Sequence, residues 1–162
     1  AQAERYRQQF YFLRDNDIAT PEDMAAFLTR TEDALASLTK QRTILNVRKK
    51  KRQVLYTALA DVEALAIAKE LYEDGVSGME EQLARYLDAV ARLEGCGCSR
   101  EQLLREKAEV YQRLAEVNRQ IRQERQKLAI CREIQKEAPQ MDRSIQYTME
   151  PEEVRHDERR RR

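Results

Sequence analysis

The chain has 162 residues, of which 36% are charged and 6% aromatic, with a formal net charge of +1, four Gly, three Pro and no Trp. This composition suits long helices and coiled coils, and its few aromatics leave too little bulk to fill a spherical core. It excludes a membrane-spanning helix, because no apolar run approaches the ~18 residues needed to cross a bilayer.

The N-terminus is polar and lacks the apolar core of a signal peptide. Three cysteines, an odd number, fit reduced thiols better than a disulfide framework, so a cytoplasmic location is expected. A start at Ala1 in the middle of helical sequence reads as a piece cut from a larger polypeptide.

Residues 2–14 form the first expected helix, with Tyr6, Phe10 and Leu13 at three-to-four spacing. Asp15-Asn16-Asp17 is turn chemistry. Thr20-Pro21-Glu22-Asp23 then supplies an N-cap hydroxyl, Pro at the first helical position and acids at the positive end of the helix dipole. The second helix is expected over 21–74, with no Gly or Pro inside it. Met24, Phe27, Leu28, Thr31, Leu35, Leu38 and Leu45 form its apolar stripe, which lapses between Arg48 and Arg52 and resumes at Leu55, Leu59, Val62 and Leu65 or Ala66. The lapse allows a break near Asn46. Gly75 supplies the stop.

Ser77-Gly78-Met79-Glu80 matches a capping box, opening a short helix over 78–94 with Met79, Leu83, Tyr86 or Leu87, Val90 and Leu93 on one face. Gly95-Cys96-Gly97-Cys98 is a tight turn, and Ser99-Arg100-Glu101-Gln102 a second capping box. The last helix, over 100–138, carries the best heptad pattern: Leu103, Val110, Leu114, Val117, Ile121, Leu128 and Cys131, with polar slips at Lys107 and Glu124. Glu109 and Arg113 are spaced for an exposed pair. Pro139 ends the pattern, and residues 139–162, with Pro151 and the terminal Arg159 to Arg162, read as a polar, disordered tail.

The fold class expected is therefore all-α: an elongated antiparallel helical bundle or coiled coil. The helices from Pro21 and Arg100 would lie antiparallel. The middle helix would make the near end three-stranded, and residues 2–14 would thicken the far end. Residues 53–99 hold nine acids against three bases, whereas 100–137 hold ten bases against seven acids. That balance would draw the two stretches together, weakly.

Catalytic chemistry finds little footing. The only histidine, His156, lies in the polar tail, which removes the usual base poised near neutral pH. Cys96, Cys98 and Cys131 supply at most three soft ligands, one short of a structural zinc site, so they read as turn and core residues. The seven tyrosines lack the electrophile that a DNA-cleaving tyrosine needs, and read as packing residues. No cofactor is expected.

The sharper candidate is basic. Lys40, Arg42, Arg48, Lys49, Lys50, Lys51 and Arg52 give residues 40–52 a charge of +7 with no acid among them, which suits a phosphate backbone and a steep salt dependence. Consecutive helical residues wrap the axis, so about three, such as Arg48, Lys51 and Arg52, can face one duplex. The lapsed stripe implies that this stretch projects from the bundle. A solvated face is the other reading.

Several stretches resemble the helical region downstream of the nuclease domain in relaxase/mobilisation proteins of conjugative elements from Firmicutes. They are Phe12-Leu13-Arg14-Asp15-Asn16-Asp17-Ile18 with Thr20-Pro21-Glu22-Asp23-Met24, Leu38-Thr39-Lys40-Gln41-Arg42 through Arg52, Glu70-Leu71-Tyr72-Glu73-Asp74-Gly75, and Ala115-Glu116-Val117-Asn118-Arg119-Gln120-Ile121. The resemblance covers most of residues 10–135 and consists of helical sequence, with no catalytic motif. It implies a noncatalytic part of a DNA-transfer relaxase, contacting DNA backbone or relaxosome proteins. The family's nucleophilic tyrosine and histidine-ligated metal have no counterpart here, so no catalytic residue carries over. The rival expectation is a purely structural coiled coil that dimerises or spaces domains, with the basic run merely solvated.

Overall fold

The computed structural model describes the backbone of residues 1–160 and the side chains of residues 1–139. The chain is all-α, with α1 Gln2–Asp15, α2 Pro21–Glu73, α3 Glu80–Gly95 and α4 Arg100–Arg160, and no strand among the described residues. Pro139 falls within α4 instead of beyond its end, since a proline removes one hydrogen bond and crowds the preceding turn without obliging the helix to stop. The tail expected over 139–162, including Tyr147, His156 and Arg159 to Arg162, lies outside the residues whose side chains are described, apart from Pro139 itself.

Local chemistry sets the ends. α1 closes with Asp17 in the left-handed region (φ 55°). The Ile18 N–H reaches back to Leu13 O at 2.9 Å and the Asp17 N–H to Arg14 O at 3.2 Å, the paired bonds of a Schellman stop. α2 opens on a reciprocal cap: Asp23 N–H donates to Thr20 Oγ1 at 3.1 Å, while Asp23 Oδ2 accepts the N–H groups of Ala19 and Thr20 at 3.0 and 3.1 Å. Those backbone donors, Ala19 first, hold the Asp23 carboxyl below its ordinary range.

α2 then runs unbroken through Asn46. Its stop is the expected one. Gly75 takes φ 85°, with Val76 N–H on Leu71 O and Gly75 N–H on Tyr72 O, both at 3.0 Å. The cap expected at Ser77 does not form. α3 starts at Glu80 behind Met79 without a side-chain cap bond, because Gly78 at φ 86° breaks the helical phase that would aim Ser77 at Glu80. The cap of α4 does form: Gln102 N–H on Ser99 Oγ and Ser99 N–H on Gln102 Oε1, each 3.1 Å.

The contacts divide into two units, residues 1–37 with 121–162, and residues 38–120. In the first, α1 packs on the start of α2 and on α4. Ile18, Met24, Phe27, Cys131 and Ile134 form the buried cluster, with Phe12 and Leu13 against it. Phe12 meets Phe27 edge-on at 5.8 Å. A polar clasp closes the same contact, where Gln9 Nε2 donates to Glu137 Oε2 at 2.9 Å and Arg5 pairs with Glu137 at 2.9 Å.

In the second unit, Gln41, Arg52 and Leu59 of α2 meet Arg113, Glu106 and Leu103 of α4. α2 numbers rise as α4 numbers fall, so the pair is antiparallel. The cluster Ala58, Leu59, Ala89, Leu93 and Leu103 joins the end of α3 to the start of α4. α3 otherwise meets α2 through Arg85 and Asp61 at 3.7 Å, and through the Tyr86 ring under Lys69. α3 and α4 therefore follow one another along α2, and the three-stranded end expected there is absent. The reason is topological: both helices run antiparallel to α2, and a short link between helices of the same direction leaves them end to end.

All seven heptad positions of α4, from Leu103 to Cys131, are buried. Each aliphatic one stabilises by about 1.5–3 kcal/mol relative to exposure, and Arg113, expected to pair with Glu109, instead donates to Gln41 at 2.9 Å.

Candidate interaction surface

The basic stretch of α2 lies where its aliphatic stripe lapses. Helical phase sends Arg48, Lys49, Arg52 and Tyr56 toward α4, and α4 answers with polar and aromatic groups. Arg52 Nε donates to Glu106 Oε1 at 3.2 Å, and Arg48 Nη2 lies 3.7 Å from the same oxygen. The Lys49 ammonium stands 4.7 Å above the Tyr111 ring, with Lys107 on that ring at 5.8 Å. Tyr56 packs against Tyr111 with ring centroids 6.4 Å apart.

Glu106 is the hub. Its side chain is 17% exposed, against 56% and 37% for its partners Arg48 and Arg52. Its hydrogen bond and charge push the Arg52 guanidinium up from its ordinary value. Tyr56 is 1% exposed, and its hydroxyl, near the Glu106 carboxylate, completes no hydrogen bond of full geometry. Burial first, and the Glu106 carboxylate next, raise its phenol above the ordinary value.

Two expectations are corrected here. The stretch does not project, because an ionic and aromatic layer replaces aliphatic packing along the α2–α4 seam. Nor do Arg48, Lys51 and Arg52 share an outward face, since Glu106 engages both arginines. Of the seven candidates, Lys40, Lys50 and Lys51 are exposed and make no ion pair among the described residues; Arg42 is half-buried, also without one. The sequence held one overlooked signal for Glu106. It precedes the heptad slip at Lys107, and in an antiparallel hairpin it falls level with the basic stretch.

The outer side of α2 is the other feature. The second unit leaves Ile44, Val47, Val54, Ile67, Leu87 and Leu104 exposed, with Ile67 at 69%. It exposes at least as many large apolar side chains as it buries, spread over α2, α3 and α4. Ile67 was not singled out by the α2 stripe read from sequence, and Leu87, expected on the apolar face of α3, is exposed, with Tyr86 half-buried at its side.

The remaining candidates are quiet. Cys96 Sγ donates to Leu93 O at 3.0 Å and accepts the Cys98 N–H at 3.4 Å, so it completes the turn in which Gly97 adopts φ 72°. Cys131 is buried in the first unit, and burial pushes its thiol up. Among the described residues no group of three or more His, Cys, Asp or Glu could hold a metal ion. The first unit has an apolar recess between Leu13, Ile18, Pro21, Met24, Ile134 and Ala138. It also has a polar recess where Lys127 pairs with Glu124 at 3.1 Å.

No helix among the described residues is long and apolar enough to cross a membrane. No protein-family model, curated protein or solved structure matches the chain.

Proposed function

We propose that this chain is a noncatalytic helical assembly module that works by binding partners through its outer faces. The observation that carries this reading is the apolar surface of the second unit. Ile44, Val47, Val54 and Ile67 stand exposed along α2, and leaving such side chains in water forgoes roughly 1.5–3 kcal/mol each. The likeness of residues 10–135 to the helical region of relaxases supports placing the module downstream of a DNA-nicking nuclease domain, among the proteins of a relaxosome.

A photocrosslinking amino acid placed at Val54 or Leu87 in producing cells tests the reading. Crosslinks to protein at these positions, and none from exposed polar positions such as Gln112, are expected. Equal yields from both kinds of position would refute it.

A second reading, contact with DNA backbone, is favoured by Lys40, Lys50 and Lys51, which are exposed and have no acid near them in sequence from Ala34 to Ala60. Binding of a generic duplex should weaken with salt, and replacing these three lysines with Gln should flatten the slope by up to about 2.7. Replacing Arg48 and Arg52 should change it less, because Glu106 already neutralises them in part. A slope that ignores the three lysines discards DNA contact at this stretch.

A further inference from the structure

Closing the turn between α3 and α4 does not use up the sulfur chemistry of Cys96 and Cys98. Both are free thiols, half-buried, and both rest on the cluster of Ala58, Leu59, Ala89, Leu93 and Leu103. One residue separates them. Gly97 bends the chain at φ 72°, so the two Cα atoms fall within the roughly 4.4–6.8 Å that a disulfide spans. The Cys96 sulfur is folded back over residue 98, accepting its N–H at 3.4 Å and lying 3.6 Å from its carbonyl oxygen. The Cys98 sulfur has a cation beside it. Arg52, held by Glu106 at 3.2 Å, also interacts with Cys98 by side-chain hydrogen bond and by charge. Partly exposed, cation-lined surroundings are where reactive cysteines occur, whereas a thiol enclosed by apolar groups is inert. Cys131 is of the second kind, fully buried and with its thiol pushed up by burial.

We propose that Cys96-Gly97-Cys98 is a dithiol site for exchange with small-molecule disulfides of the glutathione class, with Cys98 as the attacking sulfur and Arg52 as its positioning residue. Cys98 gives up its proton and attacks one sulfur of the incoming disulfide. The incoming S–S bond breaks, and the half that leaves takes up a proton as a thiol. The other half is then joined to Cys98 as a mixed disulfide. Cys96 loses its proton in turn, attacks the Cys98 sulfur and expels the second half as a thiol. The two cysteines have lost two electrons and two protons, and the small disulfide has gained them as two thiols. Cys98 leads because its sulfur is the one beside Arg52, while the Cys96 S–H is engaged with Leu93 O at 3.0 Å. Ring closure removes that donor from the last turn of α3, which ties the state of the pair to the end of the helix. The inference is independent of the assembly reading.

The test uses the purified, reduced full chain with glutathione disulfide near neutral pH, read by mass spectrometry after quenching. Cleavage after Arg92 and Arg100 puts Cys96 and Cys98 together on residues 93–100, apart from Cys131. That fragment is expected to lose two hydrogens and carry no adduct, while Cys131 stays a thiol; dithiothreitol should restore both cysteines. Cys96→Ser should stop at one glutathionyl group on Cys98. Cys98→Ser should react about tenfold more slowly, for want of the cation-flanked sulfur. Arg52→Gln should slow the reaction several-fold and leave its product unchanged, with the helical circular dichroism of every variant that of the parent. A synthetic peptide of residues 93–100, which has the two thiols without the fold, should be oxidised more slowly than the chain. A fragment that keeps both thiols overturns the inference, as does glutathione held on either cysteine without ring closure. Equal rates for the chain and the free peptide, or a rate indifferent to Arg52→Gln, would also overturn it.

Discussion

Replacing Tyr56 with Phe removes one oxygen from the polar layer and leaves the ring in place. The side chain is 1% exposed, and its hydroxyl completes no hydrogen bond of full geometry. A hydroxyl buried without a partner forfeits the bonds it had with water, about 1–3 kcal/mol. The ring itself, packed against Tyr111 at 6.4 Å, keeps its burial in the variant. Tyr56→Phe should therefore stabilise the chain, by about 1 kcal/mol at the low end of that range because the Arg48 and Arg52 dipoles and charges lie close by. For a chain of this size that is an increase of roughly 2–4 °C in Tm. Urea unfolding followed by circular dichroism should show a higher midpoint with an unchanged slope. The phenol is raised by burial, so the wild type holds its full stability below about pH 10 and loses it as pH rises through the folded-state value. The variant should lack that alkaline loss. A Tyr56→Phe protein destabilised by 1 kcal/mol or more would show that the hydroxyl is satisfied, through a bridging water to Glu106 for example, and that the layer is a connected network.

Glu106→Gln keeps the shape of the hub and removes its charge. Both guanidinium partners remain well hydrated, so the loss should stay below about 1 kcal/mol and vanish at high salt. If the stretch binds DNA, the same change should steepen the salt dependence by up to about 1.8, as two more cations become available. Ile121→Ala in the α4 seam should cost about 2–4 kcal/mol, measured by urea midpoint, since the side chain is fully buried but a narrow helical seam can partly close over the gap. Thr20→Ala should cost about 1 kcal/mol through the lost cap of α2. Because Asp23 is held below its ordinary range, its contribution is present above pH about 4 and lost as pH falls through the folded-state value. Asp23→Asn should flatten stability against pH in that acid window.

How far the sequence sufficed differs from feature to feature. Punctuation was legible because it is chemistry within a few residues: Thr20 with Asp23, Gly75, and Ser99 with Gln102 each form the end expected of them. Ser77 failed because one intervening glycine, Gly78, took a left-handed conformation that no spacing rule foresees. The α4 heptad was legible position by position, since a repeat of three and four has one buried edge whatever it packs against. The basic stretch was not. Its charges were plain, but whether each one is free depends on the opposite helix, and only the register of α2 on α4 places Glu106 between Arg48 and Arg52 while leaving Lys40, Lys50 and Lys51 in solvent.

The order of helices shows the same division. Composition, caps and periodicity are properties of one segment, and they determined an all-α chain and four helices within a few residues of their ends, except that α4 runs past the stop expected at Pro139 to Arg160. The placement of α3 before α4 along α2, the polar layer around Tyr56 and the exposure of Ile44, Val47, Val54 and Ile67 are properties of pairs of segments. A residue's periodic neighbours say that it has a face; only the packed partner decides whether that face meets another helix, a counter-ion or water.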